Sequence, residues 1–273
     1  MLDLTNNTWD FAVEEHPLEV NGKVIDGWKA LVNGTTGDPL YVHRNSYKVL
    51  THSDVVNATW DAVKQANLSN DFDFEVTSLE DGRKLKVDVL FNDLVAEPAV
   101  GDHVKFRIRA FNSYDGAWSY NSQADALRLW CLNGCVNADM LARINSRHTA
   151  NVSIEGTAAY ISRSLETFKN EKDMWQSYMK RKVTSDAAEE LFRTRLVREH
   201  TKTTEEKFNK RQLENLMGHW QDNSRELGPN KWALYNAMTA WSTHTTGKAP
   251  HNTQRQREQL VASALASKAW ELV

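Results

Sequence analysis

Two runs of alternating cations are the residues in this chain best placed to do chemistry. Lys84 and Lys86 lie two apart, and Lys105, Arg107 and Arg109 repeat the same spacing. A period of two puts each run on one face of a β-strand. Cations spaced along a strand suit a phosphate backbone. Side by side in an antiparallel sheet, the two runs would make a basic surface. Arg128, then Arg143, Arg147 and His148, would extend it. Faces for unpaired bases would come from Phe111, Tyr114, Trp118 and Tyr120 in the adjacent turn. The same alternation is also the ordinary solvated face of a sheet, and turn aromatics often serve as packing.

Other chemistries find less support. A metal-dependent nuclease needs clustered carboxylates. Asp88, Asp93, Glu97 and Asp102 are near one another in sequence, but their spacing matches no metal-binding signature. The histidines form no HxH or HExxH arrangement, and no GxxxxGK[ST], GxGxxG or GxSxG occurs. Cys131 and Cys135 are a single CxxxC pair, a poor zinc site and no disulfide framework. No catalytic residue, metal or cofactor is therefore assigned. A second basic stretch holds Arg193, Arg195, Arg198, Lys202, Lys207, Lys210 and Arg211. It reads as a solvated helix face, a second DNA contact or a contact between protomers.

The elements that must position these residues follow from periodicity. Asn21-Gly22 marks a tight hairpin turn, and Leu40 to Leu50 offers a further β segment. Ser53 or Asp54 is expected to cap a helix running to about Ala66, with Val55, Val56, Thr59, Trp60 and Val63 on its apolar stripe. Phe72, Phe74 and Val76 alternate with acids, Glu80-Asp81-Gly82-Arg83 turns, and Lys84 to Asn92 alternates again. A loop with Pro98 and Gly101 precedes a strand from His103 to Phe111, and Trp118 to Ser122 suggests a short return strand. Gln123 to Leu132 reads as a helix that Asn133-Gly134 would stop. Helices are expected over 153–181, 184–198, 203–223, 232–245 and 254–272, with Trp175, Trp220, Trp232, Trp241 and Trp270 as apolar anchors. The fold class is thus α+β: an antiparallel sheet with a β-β-β-α core over 71–134 inside a domain of residues 1–150, then a mostly helical region over 151–273.

Composition sets the frame. The chain has 273 residues with 25% charged and 41% hydrophobic, ordinary for a globular protein. The net charge of −3 does not suggest a chain that coats nucleic acid non-specifically. A local cationic face can still exist on such a molecule. No signal peptide and no membrane span are read, so a cytoplasmic location is expected.

Three stretches together carry a resemblance. They are Val100-Gly101-Asp102-His103 leading into Ala110-Phe111-Asn112-Ser113-Tyr114-Asp115-Gly116; Leu127-Arg128-Leu129-Trp130-Cys131-Leu132-Asn133-Gly134 with Arg147-His148-Thr149 downstream; and Ala233-Leu234-Tyr235-Asn236-Ala237-Met238-Thr239 followed by His244. Over about residues 8–270 the chain resembles a phage- and plasmid-like family of proteins of unknown function. More distantly, the strand–strand–strand–helix block is similar to the ring-forming single-strand annealing superfamily, which includes the eukaryotic Rad annealing protein and phage recombinases. That likeness implies a non-covalent protein that binds and anneals single-stranded DNA in the cytoplasm of a phage's host. It would assemble as a homo-oligomer, a ring or filament, and could partner a phage exonuclease. The alternatives are a phage structural or host-interaction protein and, third, a DNA-processing nuclease.

Overall fold

A computed structural model describes residues 9–129, 133–135, 143–146, 157–199, 207–245 and 250–273. The Asn-Gly turn forms as its residues dictate. Asn21 and Gly22 take φ of 52° and 74°, the left-handed pair that matches strand twist in a two-residue hairpin. It joins β1 (Val13–Val20) to β2 (Lys23–Asn33), and β3 (Pro39–Arg44) pairs with β2 to complete a three-stranded antiparallel sheet. Leu31, Leu40 and Tyr114 form a buried cluster there, with Phe11, Val13, Tyr41 and Val49 packed against it.

Helix α1 (His52–Ala66) is capped by Thr51, not by Ser53 or Asp54. The Thr51 side chain accepts from the Asp54 N–H at 3.0 Å, and the Asp54 carboxylate accepts from the Thr51 N–H at 3.1 Å. That reciprocal pair satisfies two otherwise orphaned donors, so the helix starts two or three residues earlier than expected. Val55, Val56, Thr59 and Val63 are buried, as their spacing predicts. Trp60 packs edge-on against Phe74 and Phe72, at 5.3 and 5.9 Å between ring centroids.

The larger sheet runs in the order β4 (Phe72–Leu79), β5 (Lys84–Ala99), β6 (Asp102–Ser113), β7 (Tyr120–Arg128) and β8 (Asn133–Cys135), and β9 (Arg143–Ser146) also pairs with β7. Connections of two residues between β5 and β6, and six between β6 and β7, permit only antiparallel neighbours. Leu85, Val87, Val89 and Phe91 of β5 and Val104, Phe106, Ile108 and Ala110 of β6 are fully buried. Strand β5 does not stop at Asn92 but continues through Pro98. Its pairing with β4 ends at Phe91, so Pro98 lies where one neighbouring ladder is gone and a missing N–H is tolerated.

One expectation is overturned. Residues 123–128 are strand, not helix, and Asn133-Gly134 begin a strand instead of ending a helix. Among the described residues the core thus has strand, not helix, at 123–128. The Gln-Ala-Asp-Ala-Leu-Arg run favours helix locally, but it lies between β6 and β8/β9, where ladder hydrogen bonds on both sides override that preference. A strand covered on both faces also shows no alternation, and all but Leu127 of Tyr120–Arg128 are buried.

The chain divides into two compact units, 1–93 with 107–124 and 142–164, and 94–106 with 125–141 and 165–273. Neither is one contiguous stretch. The second unit holds most of the helices: the bulk of α2 (Thr157–Lys180), then α3 (Ser185–Leu191), α4 (Lys210–Leu227), α5 (Lys231–Thr243), α6 (Pro250–Leu265) and α7 (Lys268–Leu272). Two expected helices are broken. After α3 the chain widens into a π-helical turn, Phe192–Leu196, and enters a two-residue ladder of Arg198–Glu199 with Lys207–Phe208. Ser267 stops the last helix and caps α7, accepting from the Trp270 N–H. Every residue of α5 from Lys231 to Ser242 is buried, and the five anchor tryptophans are all core.

Lys231 is only 3% exposed. Its ammonium donates to the Trp270 carbonyl and lies 4.4 Å from the Trp270 ring centroid and 5.4 Å from that of Tyr178. Burial, helped by the nearby Arg181 charge, pushes its pKa down to about 8. An unfolded lysine holds its proton to a higher pH, so between the two values the unfolded chain binds more protons and stability rises with pH. Urea unfolding is expected to show this gain from pH 8 towards pH ~10, with a slope of at most about 1.4 kcal/mol per pH unit. Lys231→Met should flatten it.

Candidate nucleic-acid interface

The two cationic runs do share a face, and an ion pair between the strands shows it. Lys86 is opposite Thr77, and Asp88 is opposite Glu75. Asp88 binds Lys86 at 2.7 Å and lies 3.9 Å from Arg107, which places the β6 row beside the β5 row. Burial works to raise the Asp88 pKa, but Arg107, then Lys86 and Arg109, outweigh it and hold the carboxyl below the ordinary carboxylate range. A buried carboxylate that stays ionised this readily reports positive potential around it. Three cations thus act on Asp88, and Glu75 lies opposite it on β4.

The face is less open than the alternation implies. Lys84 is only 4% exposed; Glu80 at 2.5 Å and Asp115 at 3.3 Å take its charge, and it lies over the Trp118 ring. Arg109 is 3% exposed, with the Gln123 amide carbonyl turned to accept from it at 2.6 Å. Lys86 and Arg107 remain partly open, with 28% and 12% of their side chains exposed. Lys105 is half-buried.

The aromatic candidates need correction. Tyr114, Trp118 and Tyr120 are 1%, 4% and 1% exposed, and Phe111 packs edge-on against Trp118 at 5.8 Å. The Tyr114 hydroxyl accepts from the His52 N–H at 2.7 Å, and its ring stacks on the His52 imidazole at 3.9 Å. These rings are core, because a turn leading into a doubly covered strand has to bury them; none offers an open face to a base. Arg143 lies on β9, and its side chain is outside the described set, as are Arg147 and His148 entirely.

The Asn112–Gly116 motif is architecture. Asn112 donates to the Leu50 carbonyl at 2.9 Å and its amide nitrogen lies 3.0 Å from the His52 ring, which tethers the start of α1. The Ser113 hydroxyl accepts from the Trp118 N–H and donates to the Trp118 carbonyl, closing the turn. Gly116 has φ +71°, and a Cβ there would come within 2.5 Å of the Tyr41 ring, so only glycine fits.

Arg128 needs correction too. It is 1% exposed on β7, not on a helix surface. Its Nε donates to Asp102 at 2.5 Å, a Nη approaches the Asn223 carbonyl oxygen at 3.5 Å, and the Trp232 indole N–H donates to the other Asp102 oxygen at 2.8 Å. Two of the three resembling stretches therefore meet at one buried ion pair, and the third begins one turn along α5. The missed signal was a lone arginine within the apolar run Ala126-Leu127-Arg128-Leu129-Trp130, which requires a buried partner. Asp102, weighed as a metal ligand, is that partner. No group of three metal-ligating side chains occurs among the described residues.

The second basic stretch is only partly engaged. Arg193 binds Glu190 at 2.6 Å and lies over Phe208. Arg195, Arg198, Lys210 and Arg211 are exposed. Among the described residues none of their side chains has an ion-pair partner. Lys202 is outside the described residues, as is the side chain of Lys207.

The chain belongs to the family described as domain of unknown function DUF932, whose model matches residues 39–265. No curated protein and no solved structure matches it. No helix among the described residues is long and apolar enough to cross a membrane.

Proposed function

We propose that this chain binds single-stranded DNA through its phosphates and promotes annealing, without covalent chemistry. The observation that supports this reading is the ion pairing at Asp88: Lys86 of β5 at 2.7 Å and Arg107 of β6 at 3.9 Å meet at this carboxylate, which brings the two cationic rows together on one sheet face. Lys86 and Arg107 are the working phosphate contacts, with Lys105 further along the row. Since the neighbouring aromatics are buried, bases are left unstacked and free to test a complement. A homo-oligomer in the host cytoplasm, supplied with single strands by an exonuclease, is the setting this activity would need. At the position of that superfamily's helix, residues 123–128 of this chain are strand.

Fluorescence anisotropy with labelled oligothymidylate tests it. Lys86→Gln with Arg107→Gln is expected to weaken binding at least about tenfold at low salt and to reduce the salt slope by about 1.4, at roughly 0.7 per lost phosphate contact. Asp88→Asn, which removes the acid that pairs with Lys86 and Arg107, should strengthen binding. If the wild-type protein neither retains the oligonucleotide at low salt nor speeds pairing of complementary strands, the reading is wrong.

A protein-binding role is the second reading. Val20, Val24 and Ile25, at 53%, 56% and 37% exposure, leave the tip of the β1–β2 hairpin apolar. Loss of a partner on Val24→Asp, with no DNA affinity in the parent, would favour it.

A further inference from the structure

In the helical unit, a cleft of about 500 Å³ opens between the π-helical turn and α7. Its size falls within the range of small-molecule sites. Ala187, Leu191, Ala269 and Leu272 give it an apolar wall, and Arg195 and Arg198 give it a cationic edge. Leu272 is 74% exposed, a large apolar side chain held in water.

The turn explains how two arginines reach one cleft. The Val197 N–H donates to the Phe192 carbonyl at 3.1 Å, five residues back, so the helix is widened by one residue just before it ends. Such insertions often accompany functional sites. Phe192 and Leu196 are buried and anchor the turn, while Arg195 and Arg198 project from it. Glu190, the one acidic side chain of the cleft, is bound to Arg193 at 2.6 Å. The Thr194 hydroxyl donates to the Glu190 carbonyl at 2.7 Å, so its lone pairs can accept but it has no second proton to give. Val273 also lines the cleft, and among the described residues no carboxylate engages either guanidinium group of the edge.

We infer that this cleft binds an organic phosphate monoester, its dianionic head forked by Arg195 and Arg198 and its apolar body laid on Leu191, Ala269 and Leu272. Paired guanidinium forks match phosphate oxygens in geometry and in charge. A bare inorganic ion would leave the apolar wall in water, so the wall selects for a body. The site is independent of the sheet face and stands or falls separately from single-strand binding there.

Phenyl phosphate is the probe, followed by calorimetry or chemical-shift perturbation on the full chain. The expected dissociation constant is on the order of 1 mM, with inorganic phosphate weaker by about tenfold. Arg195→Gln with Arg198→Gln should abolish both. Leu272→Ser should weaken phenyl phosphate and leave inorganic phosphate unchanged. Arg225→Gln, an exposed change elsewhere in the unit, should alter neither. No saturation by about 10 mM, or binding unchanged in the double variant, overturns the proposal. The same chemistry occurs on a free small molecule and on a 5′-phosphorylated DNA end. A preference for a 5′-phosphorylated oligonucleotide over its unphosphorylated form, lost in the double variant, identifies the DNA end. Equal affinities alongside phenyl phosphate binding identify the free molecule.

Discussion

Asp102→Ala is expected to cost about 3–5 kcal/mol of stability, the range for removing one partner of a buried ion pair. Arg128, 1% exposed, would lose its carboxylate partner, and Trp232 would lose the acceptor for its indole N–H. Urea unfolding followed by tryptophan fluorescence measures the loss as a lower midpoint at unchanged slope. Asp102→Leu combined with Arg128→Met should recover most of it, since both charges leave together. A single Asp102→Ala change costing less than about 1 kcal/mol would mean that the pair is solvated in solution.

Trp175→Ala is expected to be as severe, at about 3–5 kcal/mol, and Trp175→Phe far milder. Trp175 is 0% exposed and packs against Phe168 at 5.9 Å and Trp232 at 5.6 Å. Truncation to alanine empties that space. Phenylalanine keeps much of the ring contact and removes an indole N–H that has no acceptor among the described residues. The identical change at Trp232 should cost more, because there the N–H is bonded to Asp102 at 2.8 Å. Two neighbouring tryptophans would thus answer the same substitution differently. Equal costs would show that the hydrogen bond at Trp232 contributes nothing.

The strands with one wet face were legible in the sequence. Phe72 to Leu79 and Lys84 to Phe91 alternate, and the shared cationic face followed from the same period. The Asn21-Gly22 turn and the α1 stripe were legible for similar local reasons. Strand β7 was not, because burial on both faces erases alternation and its alanines favour helix in isolation. Site residues fared worse for a different reason. Alternation says which side chains share a face but not which carboxylates lie across the ladder, so the engagement of Lys84 by Glu80 and Asp115 could not be read. Nor could the burial of Tyr114, Trp118 and Tyr120, which depends on contacts such as that with His52, 62 positions away. The Asp102–Arg128 pair needed the strand register to be seen at all.

The bond from Trp232 to Asp102 spans 130 positions of chain. It therefore bears on how the molecule is made. As the chain emerges during synthesis, Asp102 and Arg128 appear together, but the helix that covers them follows only when most of the protein has been produced. Contacts of such long separation close slowly, because the loop entropy is spent before they form. Until then the charged pair waits in water. The buried pair can thus be completed only late, once α5 has emerged.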